Sequence, residues 1–143
     1  MGEAIVDTNV PVRVLTNAPP ALSELAAAII AAAEERGADL VLAPLVVAEI
    51  VFVLTRVEGW PRERVVEALL ALFASGALVV LEQEIVEQAL EWFRDVPSLH
   101  FVDAYVAALA VSRGHENVIS FDRALRRITA IHLIDTPAAV PSA

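Results

Sequence analysis

Ala4-Ile5-Val6-Asp7-Thr8-Asn9-Val10 is a short apolar run that ends on a carboxylate and passes directly into a helical pattern. An apolar run of this length with polar residues behind it fits a buried strand. The same alternation recurs along the chain. Runs suited to strands cover residues 3–7, 39–43, 77–81, 117–120 and 131–134, and segments of helical period cover 9–17, 20–36, 44–58, 61–75, 83–95, 101–113 and 121–127. Pro20, Pro44 and Pro61 suit first helical turns, and Gly37, Gly59, Gly76 and Gly114 suit the position just past a helix end. Strands alternating with helices predict an α/β layer fold.

Four acidic residues stand in these apolar segments: Asp7, Glu49, Asp103 and Asp122. An ionised carboxylate buried without compensation costs several kcal/mol, so each calls for a basic partner, a proton or a cation. Asp7 follows the first strand and Asp122 follows Asn117-Val118-Ile119-Ser120. In a parallel sheet both would lie at the carboxyl edge, where ligands gather. Asp103 falls in the first turn of a helix announced by Pro97-Ser98, where the helix dipole favours negative charge. Glu49 has only Leu45, Val46, Phe52 and Val53 at helical spacing, so its partner must come from elsewhere. Each has an ordinary explanation as well, a helix cap for Asp7 or Asp122 and a salt bridge to an arginine for Glu49. Taken together, with no Cys in the chain and no His placed among them, they describe an oxygen-donor site for a hard divalent cation, Mg²⁺ or Mn²⁺, rather than zinc or copper.

A length of 143 residues with 57% hydrophobic composition and mean hydropathy of +0.64 fits one domain, expected over residues 1–136 with a loose tail at 137–143. The net charge of −9 argues against a binder that relies on clustered cations to hold phosphate. Lys is absent, but Arg123, Arg126 and Arg127 form a local basic group, and Arg13 lies one helical turn beyond Asn9; these four are candidate phosphate contacts. His100, one turn before Asp103, reads as a helix-start residue. The absence of Cys excludes disulfides and thiolate chemistry. Leu40 to Leu54 is too short for a membrane span and contains Pro44 and Glu49, and the N-terminal residues lack the features of a secretory signal. The expectation is a cytoplasmic protein with no membrane association.

Ile5-Val6-Asp7-Thr8-Asn9, Val47-Ala48-Glu49-Ile50, Phe101-Val102-Asp103-Ala104 and Ile119-Ser120-Phe121-Asp122, in that order, give the chain a resemblance to the PIN-domain ribonucleases, closest to the VapC-type toxins of toxin–antitoxin pairs. The resemblance spans nearly the whole sequence. It implies a three-layer α/β/α sandwich with a mostly parallel central sheet of about five strands, commonly dimeric. It implies a Mg²⁺ or Mn²⁺ centre at Asp7, Glu49, Asp103 and Asp122 that hydrolyses RNA phosphodiesters, supported by Thr8, Asn9 and Ser120 through hydrogen bonds. It also implies a cognate antitoxin and a homodimer as partners. The chain departs from some members at Ala124 and Leu125, where a further acidic residue can stand, so one strong metal site is expected. Two other readings are a catalytically silent PIN-like module that binds RNA or protein, and a Mg²⁺-dependent phosphoryl-transfer protein. The absence of Lys disfavours the latter.

Overall fold

The computed structural model describes residues 2–143. They fall into two compact units, up to Gln83 and from Glu84 onward. All the strands are parallel, and helices separate most of them, as an α/β fold requires.

In the first unit, β1 (Glu3–Ile5) leads into α1 (Asn9–Thr16) and α2 (Pro20–Arg36); β2 (Asp39–Leu42) leads into α3 (Pro44–Phe52) and α4 (Arg62–Ala74), and β3 (Val79–Val80) closes the unit. The strand order is β1-β2-β3. Glu3, Ala4 and Ile5 pair with Asp39, Leu40 and Val41, and Val41 and Leu42 pair with Val79 and Val80. A parallel ladder needs a crossover between its strands, and the helix pairs supply it. Val41 and Leu42 in the central strand, Val47, Ile50 and Leu54 in α3 and its continuation, and Val65, Val66 and Leu69 in α4 are all buried. The segment expected as one helix over 44–58 is α-helical only to Phe52 and continues through Val53–Val57 as a π-helical turn. α2 ends where Gly37 takes φ +69°, a left-handed conformation that costs glycine little, and its N–H reaches back to the helix carbonyls.

In the second unit, α5 (Gln83–Asp95) and α6 (Phe101–Ser112) precede β4 (Asn117–Ile119), and β4 pairs in parallel with β5 (His132–Ile134). α5 has a strongly segregated apolar face, with Val86, Ala89, Leu90 and Phe93 buried. Phe93 and Phe101 meet edge to face with centroids 6.3 Å apart. Between β4 and β5 the expected helix over 121–127 is a 3₁₀ turn, Arg123–Arg127, followed at the chain end by a short 3₁₀ turn at Pro137–Ala139.

The five strands match the five apolar runs, but they form a three-stranded and a two-stranded ladder rather than one sheet. Apolar runs report burial and leave the choice of hydrogen-bonding neighbour open. Each strand is also shorter than its run, because the flanking residues enter turns: Val6 is buried next to β1 without extending it, and Ser120 leaves β4 for the turn at Asp122.

Leu42 is fully buried in the central strand whereas Leu45, three residues on, is 82% exposed. Leu42→Ala is expected to lower unfolding free energy by about 2–5 kcal/mol in urea titrations, and Leu45→Ala to change it by less than about 0.5 kcal/mol.

Candidate active site

The strand-to-helix corner after β1 places the first acidic pair. Val6 donates its N–H to the Val41 carbonyl at 2.9 Å, so the ladder holds the chain up to the residue before Asp7. Asp7 then accepts the Thr8 N–H on its Oδ1 at 2.8 Å, and its carbonyl accepts from Val10. Thr8 already has helical dihedrals and makes no side-chain cap. It is 5% exposed, and a hydroxyl that deep requires a partner. Its Oγ1 donates to Glu49 Oε2 at 2.5 Å. Hydrogen bonds to a carboxylate are shorter and stronger than neutral ones. Thr8 thus links the first carboxylate to the second and orients Glu49 from outside α3, which is the outside partner the sequence called for.

The apolar sequence context around Asp7 and Glu49 suggested buried carboxylates, yet both residues are exposed. Along α3 the neighbours Leu45 and Phe52, which bracket Glu49, are 82% and 59% exposed. The run is apolar because it lines an open rim as well as a core. Desolvation therefore does not drive the requirement for a partner at these two residues.

The second unit supplies the other pair, and here both residues are half-buried. Asp122 caps the 3₁₀ turn: its Oδ1 accepts the Ala124 N–H at 2.9 Å while its own N–H donates to Ser120 Oγ at 3.0 Å. The cap reading of Asp122 is thus correct. Asp103, in the first turn of α6, has Asp122 as its acidic neighbour. Burial first, then the hydrogen bond to Asp122 and its negative charge, holds the Asp103 carboxyl above its ordinary value. His100 Nδ1, 3.7 Å from Asp103 Oδ2, pulls the other way. Sequence spacing points to the helix dipole at Asp103; the resemblance groups it with Asp122, nineteen positions on, without indicating that the two are neighbours.

Among the described residues, no set of three or more His, Cys, Asp or Glu is arranged to hold a metal ion. The donors available are carboxylate oxygens in pairs. That is the set Mg²⁺ accepts, since it is commonly bound by one or two carboxylates with water and substrate phosphate completing the shell. The donor chemistry therefore fits a hard divalent cation.

Of the other candidates, Asn9 is exposed at the start of α1 and makes no hydrogen bond to a carboxylate among the described residues. Arg13 donates weakly to the Ala18 carbonyl at 3.4 Å and lines a groove of about 240 Å³ between α1 and α2. Arg126 is tied to Asp135 at 3.5 Å, while Arg123 and Arg127 are exposed.

A carboxyl whose proton is held more tightly in the folded state than in the unfolded chain loses stability as pH rises. Below the ordinary Asp range both states of the protein keep the Asp103 proton. Through the window up to the raised folded value, the unfolded chain releases it first. Asp103→Asn is therefore expected to be more stable than wild type at pH 7 in metal-free buffer, with the advantage vanishing below the ordinary Asp range. Urea unfolding at the two pH values checks this.

The PIN domain family model matches residues 4–131. No curated protein and no solved structure matches the chain. The match covers β1 through the residue before β5 and includes all four carboxylates with Thr8 and Ser120. With Asp7 and Asp122 each just past the carboxyl end of a parallel strand, the chain belongs to the PIN-domain family, whose members are generally nucleases.

Proposed function

We propose that this chain is a metal-dependent endoribonuclease and the toxin of a toxin–antitoxin pair. The observation that carries the reading is the pairing of oxygen donors, Asp7 with Glu49 through Thr8 and Asp103 with Asp122, in a PIN-domain chain. In this reading Asp7, Glu49, Asp103 and Asp122 hold Mg²⁺ or Mn²⁺. The bound cation would supply an activated water and charge stabilisation at the phosphoryl oxygens.

The chain's own groups have separate tasks. Thr8 keeps one Glu49 oxygen engaged, so the other is presented in a fixed orientation. Ser120 holds the Asp122 backbone, and Ala124 occupies one Asp122 oxygen. Asp103, whose carboxyl is held above its ordinary value, would bind a cation in competition with a proton. Arg123 and Arg127 stand next to Asp122 in sequence and offer charge to the RNA backbone.

The antitoxin is proposed to dock an amphipathic segment in the α1–α2 groove, where Val10, Leu22, Leu25 and Ile29 supply apolar surface and Arg13 a charge for an acidic residue. A homodimer is proposed for the exposed apolar residues of α3 and the turn beyond it, Leu45, Phe52 and Val57. Among the described residues no single helix is long and apolar enough to cross a membrane. A cytoplasmic location is part of the proposal.

The test is end-mapping of total cellular RNA incubated with purified protein. Discrete new ends are expected with Mn²⁺ or Mg²⁺, lost with EDTA and in Asp7→Asn. Thr8→Val is expected to keep the fold and lower activity by about 10- to 100-fold, the range for groups that orient a metal ligand. New ends that persist in EDTA, or no ends from folded wild-type protein freed of any antitoxin, would overturn the reading.

A further inference from the structure

Phe121 is the most exposed large apolar side chain among the described residues, at 88%. It sits between Ser120 and Asp122, and the hydrogen bonds on either side of it fix the backbone that carries it. Ser120 N–H donates to the Ile134 carbonyl at 3.2 Å, Asp122 N–H to Ser120 Oγ at 3.0 Å, and Ala124 N–H to Asp122 Oδ1 at 2.9 Å. Val118 is buried and Ile119 is 71% exposed, so the segment turns one side inward and leaves apolar surface outside up to the carboxylate. A phenylalanine left in water forgoes the burial that normally places it in a core. Among the described residues, an edge-to-face ring pair joins Phe93 with Phe101 and does not include Phe121. An exposed ring one residue before Asp122, on backbone held by hydrogen bonds, with exposed Arg123 one residue after it, matches one ligand chemistry. The ring offers a flat apolar face for a base, and the arginine offers charge for the phosphate next to it.

We infer that Phe121 is a base-stacking residue, binding the face of an RNA nucleobase next to the phosphodiester that the Asp122 carboxylate serves. The inference rests on the ribonuclease reading and deepens it: it assigns a single-stranded substrate, because a base within a duplex has no free face. Stacking acts on substrate binding and on the choice of base at one position, and leaves the carboxylates untouched.

Steady-state cleavage of a single-stranded 12-nucleotide RNA of mixed sequence tests it, with Phe121→Ala, Phe121→Leu and Phe121→Trp beside wild type. Because the side chain is exposed, all three variants are expected to fold, which thermal melts confirm. Phe121→Ala should raise KM on the order of 5- to 150-fold, the loss of one base–aromatic stack, with kcat changed far less. Phe121→Trp should restore KM, Phe121→Leu should not, and end-mapping of Phe121→Ala should show weakened base preference beside the cut. A KM unchanged in Phe121→Ala, or restored equally well by Phe121→Leu, overturns the stacking role while wild-type cleavage keeps the nuclease reading. A change of oligomeric state in Phe121→Ala with unaltered KM assigns the ring to a protein contact and likewise overturns it. Wild-type protein that cleaves no RNA overturns the nuclease reading, and the stacking role with it.

Discussion

The hydrogen bond from the buried Thr8 hydroxyl to Glu49 ties the end of β1 to the middle of α3. It exists because the parallel ladder of β1 with β2 delivers the chain to a corner at which residue 8 faces inward while residue 7 faces out. A valine of the same shape would pack there equally well, so the hydroxyl is explained by its partner. The partner is a carboxylate at the solvent boundary, flanked by exposed Leu45 and Phe52. What the bond contributes is orientation: one oxygen is held and the other left open.

The second unit solves a related problem by different means. Asp122 is fixed by local backbone bonds, as a cap of a 3₁₀ turn, and Asp103 is brought against it by α6. Burial first, and then the neighbouring Asp122, hold the Asp103 carboxyl above its ordinary value, so an ionised Asp103 is a cost to the fold. A proton or a bound cation at this pair would relieve that cost, so in the proposed reading stability and cation affinity are linked.

The alternation of apolar runs with helical segments was enough to read the α/β class, and the strand runs were placed within a few residues. The capping glycines were legible too: Gly37, Gly59, Gly76 and Gly114 all adopt the left-handed conformation. Pairing was not legible, because two short parallel ladders and one longer sheet share the same pattern of apolar runs. At the candidate site, Thr8 and Ser120 could be named as supporting residues, but the bond from Thr8 spans 41 positions and leaves no local signature. Burial was misjudged at Asp7 and Glu49 because apolar neighbours in sequence were taken as walls when Leu45 and Phe52 form an exposed rim. Phe121 was read only as part of a motif, since hydrophobicity carries no indication of which side of a turn a ring will occupy.

The functional proposal turns on whether Asp7, Glu49, Asp103 and Asp122 bind a divalent cation. Calorimetric titration of Mn²⁺ into wild type and into Asp7→Asn, Glu49→Gln, Asp103→Asn and Asp122→Asn addresses it without RNA or turnover. The account predicts one strong site in wild type, weakened by about tenfold or more in each of the four variants. Binding that survives intact when either residue of one pair is neutralised would contradict it.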